Sequence, residues 1–380
     1  MKVLITVTHL LGTGHLARAM TLASAFSAHG HKVALVSGGR PVRHLERAGI
    51  DILQLPPVQS NGTDFSVLLD EQGNVITPDR MRERKEILLS ILDRMDPDVI
   101  ITELFPFGRR QLKDEFVALL EAARARADPP LIASSIRDIL APPSKPEKAA
   151  LADRMIETYY DLILVHADPN LTPLELSWPV SEAIETKLRY TGFVAPAAAG
   201  RHPDGLGQDE IIVSAGGGEV GGHIFASALE AATQNGKQWR LLMGGADAQR
   251  RAAEMQVKAP SNVIIEPARR DFRQMLTHAA ASVSMCGYNT ALDVLQSGVP
   301  AVFVPFDAGN EVEQGIRAKA LAEQNAITLV RNADLSASTL LKALEDVQSG
   351  PKRAPLRMGM DGANRTVEIM SKMWGARGGH

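Results

Sequence analysis

The sequence has almost no cysteine and few aromatic residues, and neither sign of charge is in excess. Its 380 residues include a single cysteine, Cys286, which excludes an intrachain disulfide and a cysteine-based metal cluster. The 41 basic and 44 acidic residues leave a net charge of -3, which provides no long-range field for nucleic acid. The most basic stretch, RMRERK at 80–85, is expected to be a solvated helix face.

Long apolar runs are missing as well. Nowhere do about 18 uninterrupted apolar residues occur, and glycine breaks the apolar N-terminal stretch too early for a signal peptide. A chain without membrane spans in a reducing, cytoplasmic compartment is therefore expected. Peripheral contact with the inner face of the membrane stays open.

Short apolar runs rich in β-branched residues alternate with amphipathic stretches along the whole chain. A first set comprises KVLITV, HKVALVS, DVIIT, PPLIASS and DLILVHA, and a second set comprises EIIVSA, WRLLMGG, NVIIEP, ASVSM and PAVFVPF. Strands that are apolar throughout and separated by helices predict parallel sheets covered on both faces. The fold class is therefore α/β, with two doubly wound, Rossmann-like domains.

The stretch VAPAAAGRHPDGLGQ at 194–208 separates the two sets of strands. It is rich in Ala, Pro and Gly and poor in large apolar residues, which is typical of an interdomain linker. We therefore expect domains at 1–193 and 209–355. The segment 356–380 is expected to form a last helix, whose domain the sequence does not reveal.

The first strand runs into THLLGTGHLARAMTLA, with Gly12 and Gly14 before a helix that opens near His15. The pattern matches a weak dinucleotide fingerprint, but the next strand ends without an acid for a ribose diol. An NADP site could use Arg40 instead, so NADP binding remains an alternative. The positive end of the helix dipole favours the neutral form of His15, which is able to accept a proton, although a histidine that only caps the loop remains the alternative.

A second strand-to-helix loop contains three consecutive glycines, Gly216, Gly217 and Gly218, before a helix near His223. Such a backbone can approach a ligand closely and direct several N–H groups at an anion, so a phosphate is the expected ligand. The loop lacks the Lys-Ser/Thr of a P-loop, which argues against magnesium-dependent hydrolysis of a nucleoside triphosphate. A flexible turn without a ligand is the alternative.

The third loop, Gly287-Tyr288-Asn289-Thr290, follows the strand ASVSM and is expected to start a helix with Asn/Thr capping. Asp293 lies one turn further on, where it can accept two vicinal hydroxyls. Two anion-binding helix N-termini and a nearby carboxylate in one domain suit a nucleoside diphosphate.

At these residues the sequence resembles the nucleotide-sugar-dependent glycosyltransferases of the GT-B architecture, in particular family 28 and the MurG type. GTGHLARAMTLA is similar to the N-terminal Gly-His loop of that family. CGYNTALDVLQSGVPAVFVPF and the later EQGIRA resemble its C-terminal donor signature. The resemblance implies two domains facing a central cleft, and it is greatest to a bacterial group known only as predicted glycosyltransferases.

The resemblance also implies roles for individual residues. His15 would be the base that deprotonates the acceptor, and Glu103 the acid that orients it. Asp293 would bind the donor ribose. The remaining donor contacts fall on Asn289 and Thr290 for the diphosphate, on Glu313 and Gln314 for the sugar, and on the backbone near Ala268 for the nucleobase.

Two positions depart from the family pattern. Met285 stands where many relatives have a histidine that contacts phosphate, so His223 is a candidate to replace it. Arg317 stands where an Asn is usual, which leaves the identity of the sugar open.

The sequence thus predicts an inverting glycosyltransferase that uses a nucleoside diphosphate sugar, most simply a UDP-sugar, and needs neither metal nor cofactor because backbone amides stabilise the leaving group. A nucleotide-sugar hydrolase of the same fold, an NADP-dependent reductase and a non-enzymatic sugar-nucleotide sensor remain alternatives. The acceptor is unknown. Arg137 and Asp138 fall on its side, and ELFPFGRRQLK at 103–113 is either a lipid contact or a packed helix start.

Overall fold

The computed structural model describes residues 1–378 except 11, 43–48, 62–63, 217–220, 246 and 308–310. It divides into two compact units, Met1–Val194 with Asp361–His380, and Ala195–Met360. Each unit is built on a parallel sheet with helices, which confirms the predicted α/β class with two Rossmann-like units. Within the described residues, no helix combines the length and apolar character needed to cross a bilayer.

The first unit contains a seven-stranded parallel sheet of order β3-β2-β1-β6-β7-β8-β9 and a separate antiparallel hairpin, β4-β5. The strands are β1 (Lys2–Val7), β2 (Lys32–Ser37), β3 (Asp51–Gln54), β4 (Gln59–Asn61), β5 (Asp64–Leu69), β6 (Val99–Glu103), β7 (Leu131–Arg137), β8 (Leu162–His166) and β9 (Leu188–Tyr190). The helices are α1 (Gly14–Ala28), α2 (Pro78–Met95), α3 (Lys113–Arg124), α4 (Pro146–Tyr159), α5 (Glu182–Glu185) and, from the end of the chain, α12 (Gly362–Ala376).

The order of this sheet reverses between β1 and β6, which are paired in parallel. In open α/β sheets a crevice forms at such a point, beyond the carboxyl ends of the strands. Strand β1 leads into α1, which carries His15, and β6 ends on Glu103. The chain topology therefore brings two residues that are 88 positions apart to the same edge.

The second unit contains a six-stranded parallel sheet of order β12-β11-β10-β13-β14-β15. Its strands are β10 (Ile211–Ser214), β11 (Trp239–Met243), β12 (Val263–Pro267), β13 (Ala281–Ser284), β14 (Ala301–Phe303) and β15 (Ile327–Leu329), and its helices are α6 (Gly222–Ala232), α7 (Ala248–Gln256), α8 (Phe272–Leu276), α9 (Tyr288–Ser297), α10 (Glu313–Leu321) and α11 (Ala337–Ser349). The strand order reverses between β10 and β13. The loops that follow these two strands are the glycine loop and the loop that begins at Gly287.

The last helix, α12, belongs to the first unit rather than to the domain that precedes it in the chain. Ala363, Val367 and Met370 on this helix are buried in the same core as α1 and β1. Asp361 pairs with Val194, and the Gly362 N–H donates to the carbonyl of Phe193 at 2.9 Å. The chain therefore leaves the first unit after Val194 and returns to it at Asp361.

The segment 194–208, expected to be a linker, is part of the second unit from Ala195 onward. The His202 side chain is buried and lies 3.0 Å from an Asp271 carboxylate oxygen, and Gly207 packs tightly against the backbone of Met275. Fixed polar and packing contacts attach this Ala/Pro/Gly stretch to the unit, although it lacks large apolar side chains.

The basic stretch at 80–85 is not wholly a solvated helix face, and that expectation was wrong at Arg84. The Arg84 side chain is fully buried and donates to both carboxylate oxygens of Glu115, at 2.8 and 2.9 Å. It also donates to the carbonyl of Gly38. A buried guanidinium is tolerated here because a bidentate carboxylate and carbonyl groups satisfy it.

Gly362→Ala tests how α12 is attached. A Cβ at this position would collide with the carbonyl oxygens of Gly192 and Phe193, so the helix must shift. We expect a loss of about 1–3 kcal/mol in the free energy of unfolding, as is usual for overpacking, measured by urea denaturation.

Gly375→Ala is the matched control in the same helix, because a Cβ there meets nothing within 4 Å. It should leave stability unchanged or raise it by up to about 1 kcal/mol. Equal effects of the two substitutions would contradict the close approach of α12 to residues 192–193.

Candidate active site

His15 lies in the first turn of α1, at the point where the first sheet reverses its order. Its Nδ1 is 2.9 Å from Oε1 of Glu103, the last residue of β6. The His15 side chain remains 14% exposed, whereas that of Glu103 is 1% exposed. The structure thus places His15 and Glu103, both predicted from the sequence, in hydrogen-bond contact, with Glu103 more deeply buried than His15.

Glu103 is an ionised carboxylate in a buried position. Burial alone would raise its pKa, but the charge of Arg18 and hydrogen bonds from His15 and Ser135 bring the pKa below its ordinary value. Arg18, on α1, pairs with Oε1, and the Ser135 hydroxyl donates to Oε2 at 2.7 Å. The sequence analysis missed both partners. Arg18 is in GHLARA one turn after His15, so its helical spacing was the available signal.

His15 is held in the neutral form. Burial lowers its pKa to about 3; the hydrogen bond to Glu103 opposes this, and the charges of Arg109 and Arg18 reinforce it. Burial is the largest of these effects, and the contribution of the helix dipole stays a prediction from the sequence. Nδ1 also lies 3.1 Å from Nη2 of Arg18, which donates to Oε1 of Glu103. Because an ionised carboxylate can only accept, we assign the imidazole proton to Nδ1, which leaves a lone pair on Nε2.

The acceptor-side residues predicted from the sequence differ in exposure. Gly12 and Gly14 are exposed in the loop before His15, and no atom would crowd a Cβ on either. Arg137, at the end of β7, is half-buried, whereas Asp138 is buried. Arg109 donates from Nε to the carbonyl of Thr8 at 2.6 Å.

The two phenylalanines of ELFPFGRRQLK are core residues. Phe105 stacks on Phe116 at 4.6 Å between ring centroids, and Phe107 meets Trp178 edge-on at 5.1 Å. Both side chains are buried. Of the two interpretations left open for this stretch, the packed one is correct for its aromatic side chains, which are not available to a lipid.

In the second unit, the glycine loop connects β10 to α6. Gly216 has a left-handed φ of 75°, while Gly217 and Gly218 lie outside the described residues. Gly221 caps α6 with a φ of 95°, and a Cβ there would collide with the side chain of Ala215. Only glycine fits that position, because it combines a left-handed backbone with close packing.

His223 lies in the first turn of α6, and its Nε2 is 2.6 Å from Oδ1 of Asn332. The amide nitrogen of Asn332 donates to the carbonyl of Pro305 and to Asp307, which fixes the orientation of the amide. Met285, which stands where relatives have a histidine, is buried in the core of this unit. His223 is thus an oriented imidazole next to the glycine loop, whereas Met285 is a packing residue.

The helix after β13 begins differently from the prediction. Gly287 is the N-cap of α9 and no side chain caps the helix; Tyr288, Asn289 and Thr290 are already inside the first turn. The expectation of Asn/Thr capping was therefore wrong. Arg317, buried beneath this turn, donates to the carbonyl of Cys286 at 2.9 Å and lies 5.9 Å from the centre of the Tyr288 ring.

Asp293 lies further along α9 and is mostly buried, with 13% of its side chain exposed. Arg273 donates to its Oδ1 at 2.7 Å, and also to Gln296 and to the carbonyl of Ala197. Burial raises the pKa of Asp293 to about 6 although the Arg273 charge opposes this. Oδ2 makes no hydrogen bond to the described residues, so one oxygen is held and the other is available.

The other residues predicted to bind the nucleotide sugar make hydrogen bonds with loop residues and with the backbone. Gln314, near the start of α10, accepts from the Phe306 N–H at 3.2 Å, and the Glu313 N–H donates to Glu311. The Ala268 N–H is already committed to the carbonyl of Met243 at 2.7 Å. A ligand at Ala268 would therefore use its carbonyl or the neighbouring backbone.

Among the described residues, no group of three or more His, Cys, Asp or Glu side chains could hold a metal ion. One Asp-x-Asp sequence occurs, at Asp96 and Asp98. These residues precede β6, at the opposite edge of the sheet from His15, and Asp98 accepts from the Lys2 N–H. Asp96 pairs with Lys2 and Arg126.

Comparison with known proteins gives a family match for the C-terminal part of the chain. Residues 223–373 match the glycosyltransferase family 28 C-terminal domain. A UDP-N-acetylglucosamine–N-acetylmuramyl-(pentapeptide) pyrophosphoryl-undecaprenol N-acetylglucosamine transferase 1 of Bacillus cereus is 28% identical over 121 residues, 30% of this chain and 33% of that protein. The chain thus matches about a third of the length of this relative.

Similarity to solved structures extends over nearly the whole chain. MurG of Acinetobacter baumannii has a TM-score of 0.62 at 16% identity and covers 98% of this chain and 99% of its own. LpCGTa, solved in complex with UDP, has a TM-score of 0.63 at 14% identity and covers 98% of both chains. The C-terminal part of the chain is thus similar to the glycosyltransferase family 28 C-terminal domain, and the chain has the fold of the GT-B glycosyltransferases.

Proposed function

We propose that this protein is an inverting, metal-independent glycosyltransferase that moves a sugar from a nucleoside diphosphate sugar, a UDP-sugar in the first instance, to an acceptor hydroxyl. The observation that carries the proposal is the neutral His15 imidazole, held by the buried carboxylate of Glu103 at the carboxyl edge of the sheet. This arrangement is suited to removing a proton from a hydroxyl group.

In the proposed reaction, Nε2 of His15 takes the acceptor proton as the hydroxyl oxygen bonds to the anomeric carbon. The bond from that carbon to the diphosphate oxygen breaks, and the electron pair leaves with the nucleoside diphosphate. The imidazolium that forms is next to ionised Glu103, which stabilises its charge.

The second unit would hold the donor. The N-termini of α6 and α9 follow the two strands at which its sheet reverses, and the N–H groups of a helix's first turn have no partner within the helix. Together with His223 they suit a diphosphate, and the free oxygen of Asp293 suits the ribose. The preorganised amides would stabilise the leaving group without a metal.

The relatives support this assignment at the level of class. The name of the Bacillus cereus relative specifies UDP-N-acetylglucosamine as the donor and a pyrophosphoryl-undecaprenol lipid as the acceptor, and these are the first compounds to test. The hydrolase and the NADP-dependent reductase considered from the sequence have no counterpart among the proteins compared above. A cytoplasmic location, with transient contact to the membrane if the acceptor is a lipid, follows from the same proposal.

UDP should raise the melting temperature of the protein, whereas NADP should not. A ligand present at 100 times its dissociation constant adds about 2.7 kcal/mol to the stability of the state it binds. Differential scanning fluorimetry with UDP, dTDP, GDP and NADP measures this. Stabilisation by NADP alone would contradict the proposed transferase and support an NADP-dependent reductase.

His15→Ala should lower kcat by about a hundred- to ten thousand-fold and leave the dissociation constant of UDP unchanged, because a general base acts in the transition state. Glu103→Gln should reduce kcat less, since the imidazole remains. The measurement is nucleoside diphosphate release from UDP-N-acetylglucosamine, with and without the acceptor.

His29→Ala is the control, because His29 follows the other end of the same helix. It should retain wild-type kcat. Rapid release of nucleoside diphosphate in water that no acceptor accelerates, but that His15→Ala abolishes, would establish a hydrolase instead.

The affinity for UDP should fall as the pH drops through about 6, because protonation of Asp293 removes the charged acceptor for the ribose hydroxyls. Asp293→Asn should bind UDP about 10- to 100-fold more weakly at pH 8 and lose this pH dependence. Isothermal titration calorimetry between pH 5 and 8 gives both results.

Asp247→Asn serves as the control, since Asp247 is an exposed carboxylate at the start of another helix of the same unit. Its affinity should follow the wild-type pH profile. If Asp293→Asn also behaves like the wild type, Asp293 is only a partner of Arg273.

A further inference from the structure

Three buried polar residues in the first unit have no role in the mechanism above. Ser135 lies near the end of β7, His166 ends β8, and Thr191 follows β9. Ser135 and His166 are fully buried, and Thr191 is 5% exposed. Because β6, β7, β8 and β9 are neighbours in the sheet, these side chains form a row that leads to Glu103.

The row is continuous in hydrogen bonds. Oγ of Ser135 is 2.7 Å from Oε2 of Glu103 and 2.9 Å from Nε2 of His166. Nδ1 of His166 is 2.8 Å from Oγ1 of Thr191. With His15 of α1 at the other end, five side chains are linked along one edge of the sheet.

Counting protons gives each bond a direction. Ionised Glu103 can only accept, so the single hydroxyl proton of Ser135 must be donated to it. Ser135 Oγ can then only accept from His166, which places the proton of the neutral imidazole on Nε2. Nδ1 of His166 is left with a lone pair to which the Thr191 hydroxyl can donate, although the Thr191 oxygen also lies 2.8 Å from the carbonyl of Gly192.

The charge state of His166 agrees with this count. Burial lowers the pKa of its imidazole to about 3, and the charge of Arg18 lowers it further. The ring therefore has one proton, as the directions require. A second proton, on Nδ1, would leave the Thr191 oxygen to accept instead of donate.

We propose that Ser135 and His166 are positioning residues for His15, which fix the Glu103 carboxylate through a one-way chain of hydrogen bonds and so hold His15 as the Nδ1-H tautomer. Ser135 holds Oε2 while Arg18 and His15 share Oε1. Rotation of the carboxylate would release His15. The role of this chain in catalysis rests on the proposed function, whereas its effect on the tautomer of His15 does not.

Ser135→Ala breaks the chain at its centre. It leaves Oε2 of Glu103 and Nε2–H of His166 without their partner, and the two groups can meet only if the carboxylate turns away from His15. We expect kcat to fall by about 10- to 100-fold, as when an orienting partner of a functional group is removed, with an unchanged KM for the donor. Ser135→Thr keeps the hydroxyl and should restore most of kcat.

Ser134→Ala is a closely matched control. Ser134 is the adjacent residue of β7, is equally buried, and donates to the carbonyl of Phe105 at 2.8 Å, outside the chain. This variant loses the same group from the same strand. Its kcat should stay within about two-fold of the wild type, since it leaves the partners of Glu103 in place.

Nitrogen-15 NMR of histidine-labelled protein gives a readout independent of activity, with His15→Ala and His166→Leu assigning the two rings. In the wild type and in Ser134→Ala, His15 should show the Nδ1-H tautomer and His166 the Nε2-H tautomer. In Ser135→Ala, His15 should become a mixture of tautomers. If that variant does not fold, His166→Leu provides the same comparison with a smaller expected change.

The outcomes separate the two proposals. A wild-type His15 tautomer and rate in Ser135→Ala would overturn the positioning role even if the protein is an active transferase. If no donor is turned over by the wild type, the proposed function fails. A mixture of His15 tautomers in Ser135→Ala, absent in Ser134→Ala, would still establish the chain.

Discussion

A negative charge buried at the end of β6 has to be surrounded by donors, and the first unit is arranged around that requirement. An ionised carboxylate without partners in this position would cost several kcal/mol. Arg18 and His15 reach Glu103 from α1, and Ser135 reaches it from β7. The helix that carries the imidazole is therefore tied to two strands by the same carboxylate that gives the imidazole its orientation.

In the second unit, the described residues at the point where the strand order reverses are held by backbone contacts. Gly221 brings the start of α6 against Ala215, and Arg317 binds the carbonyl of Cys286 before the first turn of α9. Two helix N-termini are thereby fixed next to each other in the sheet order. The charged groups of this unit, such as Arg273 with Asp293, lie further along the helices.

Much of this arrangement was readable from the sequence, for identifiable reasons. The nine central strands are apolar because both of their faces are covered, so they could be recognised as short runs, as could the edge strand β12. Strands β3, β9 and β15 were not recognised. They lie at the edges of the sheets, are only three or four residues long, and are partly exposed, so they give no continuous apolar signal. His15 and Glu103 were found because each follows a recognisable strand.

The residues that the sequence analysis missed have partners far away along the chain, and no local sequence pattern marks them. Ser135 and His166 lie inside strands whose sequences show only burial, and their roles depend on which strands are neighbours. Arg84 was misread because a charged residue on a polar helix gives no sign of a buried partner in another helix. Arg273 and Arg317 likewise bind groups 20 and 31 positions away.

The return of α12 to the first unit makes the second unit an insertion in the chain. Residues 195–360 form one continuous stretch, whereas the first unit is interrupted. The ends of the interruption are adjacent, since Val194 pairs with Asp361. A short peptide joining these two positions would close the first unit into a single polypeptide that retains the whole His15 network. A gene fragment that simply stops at residue 360 would instead strip a helix from the core that supports α1.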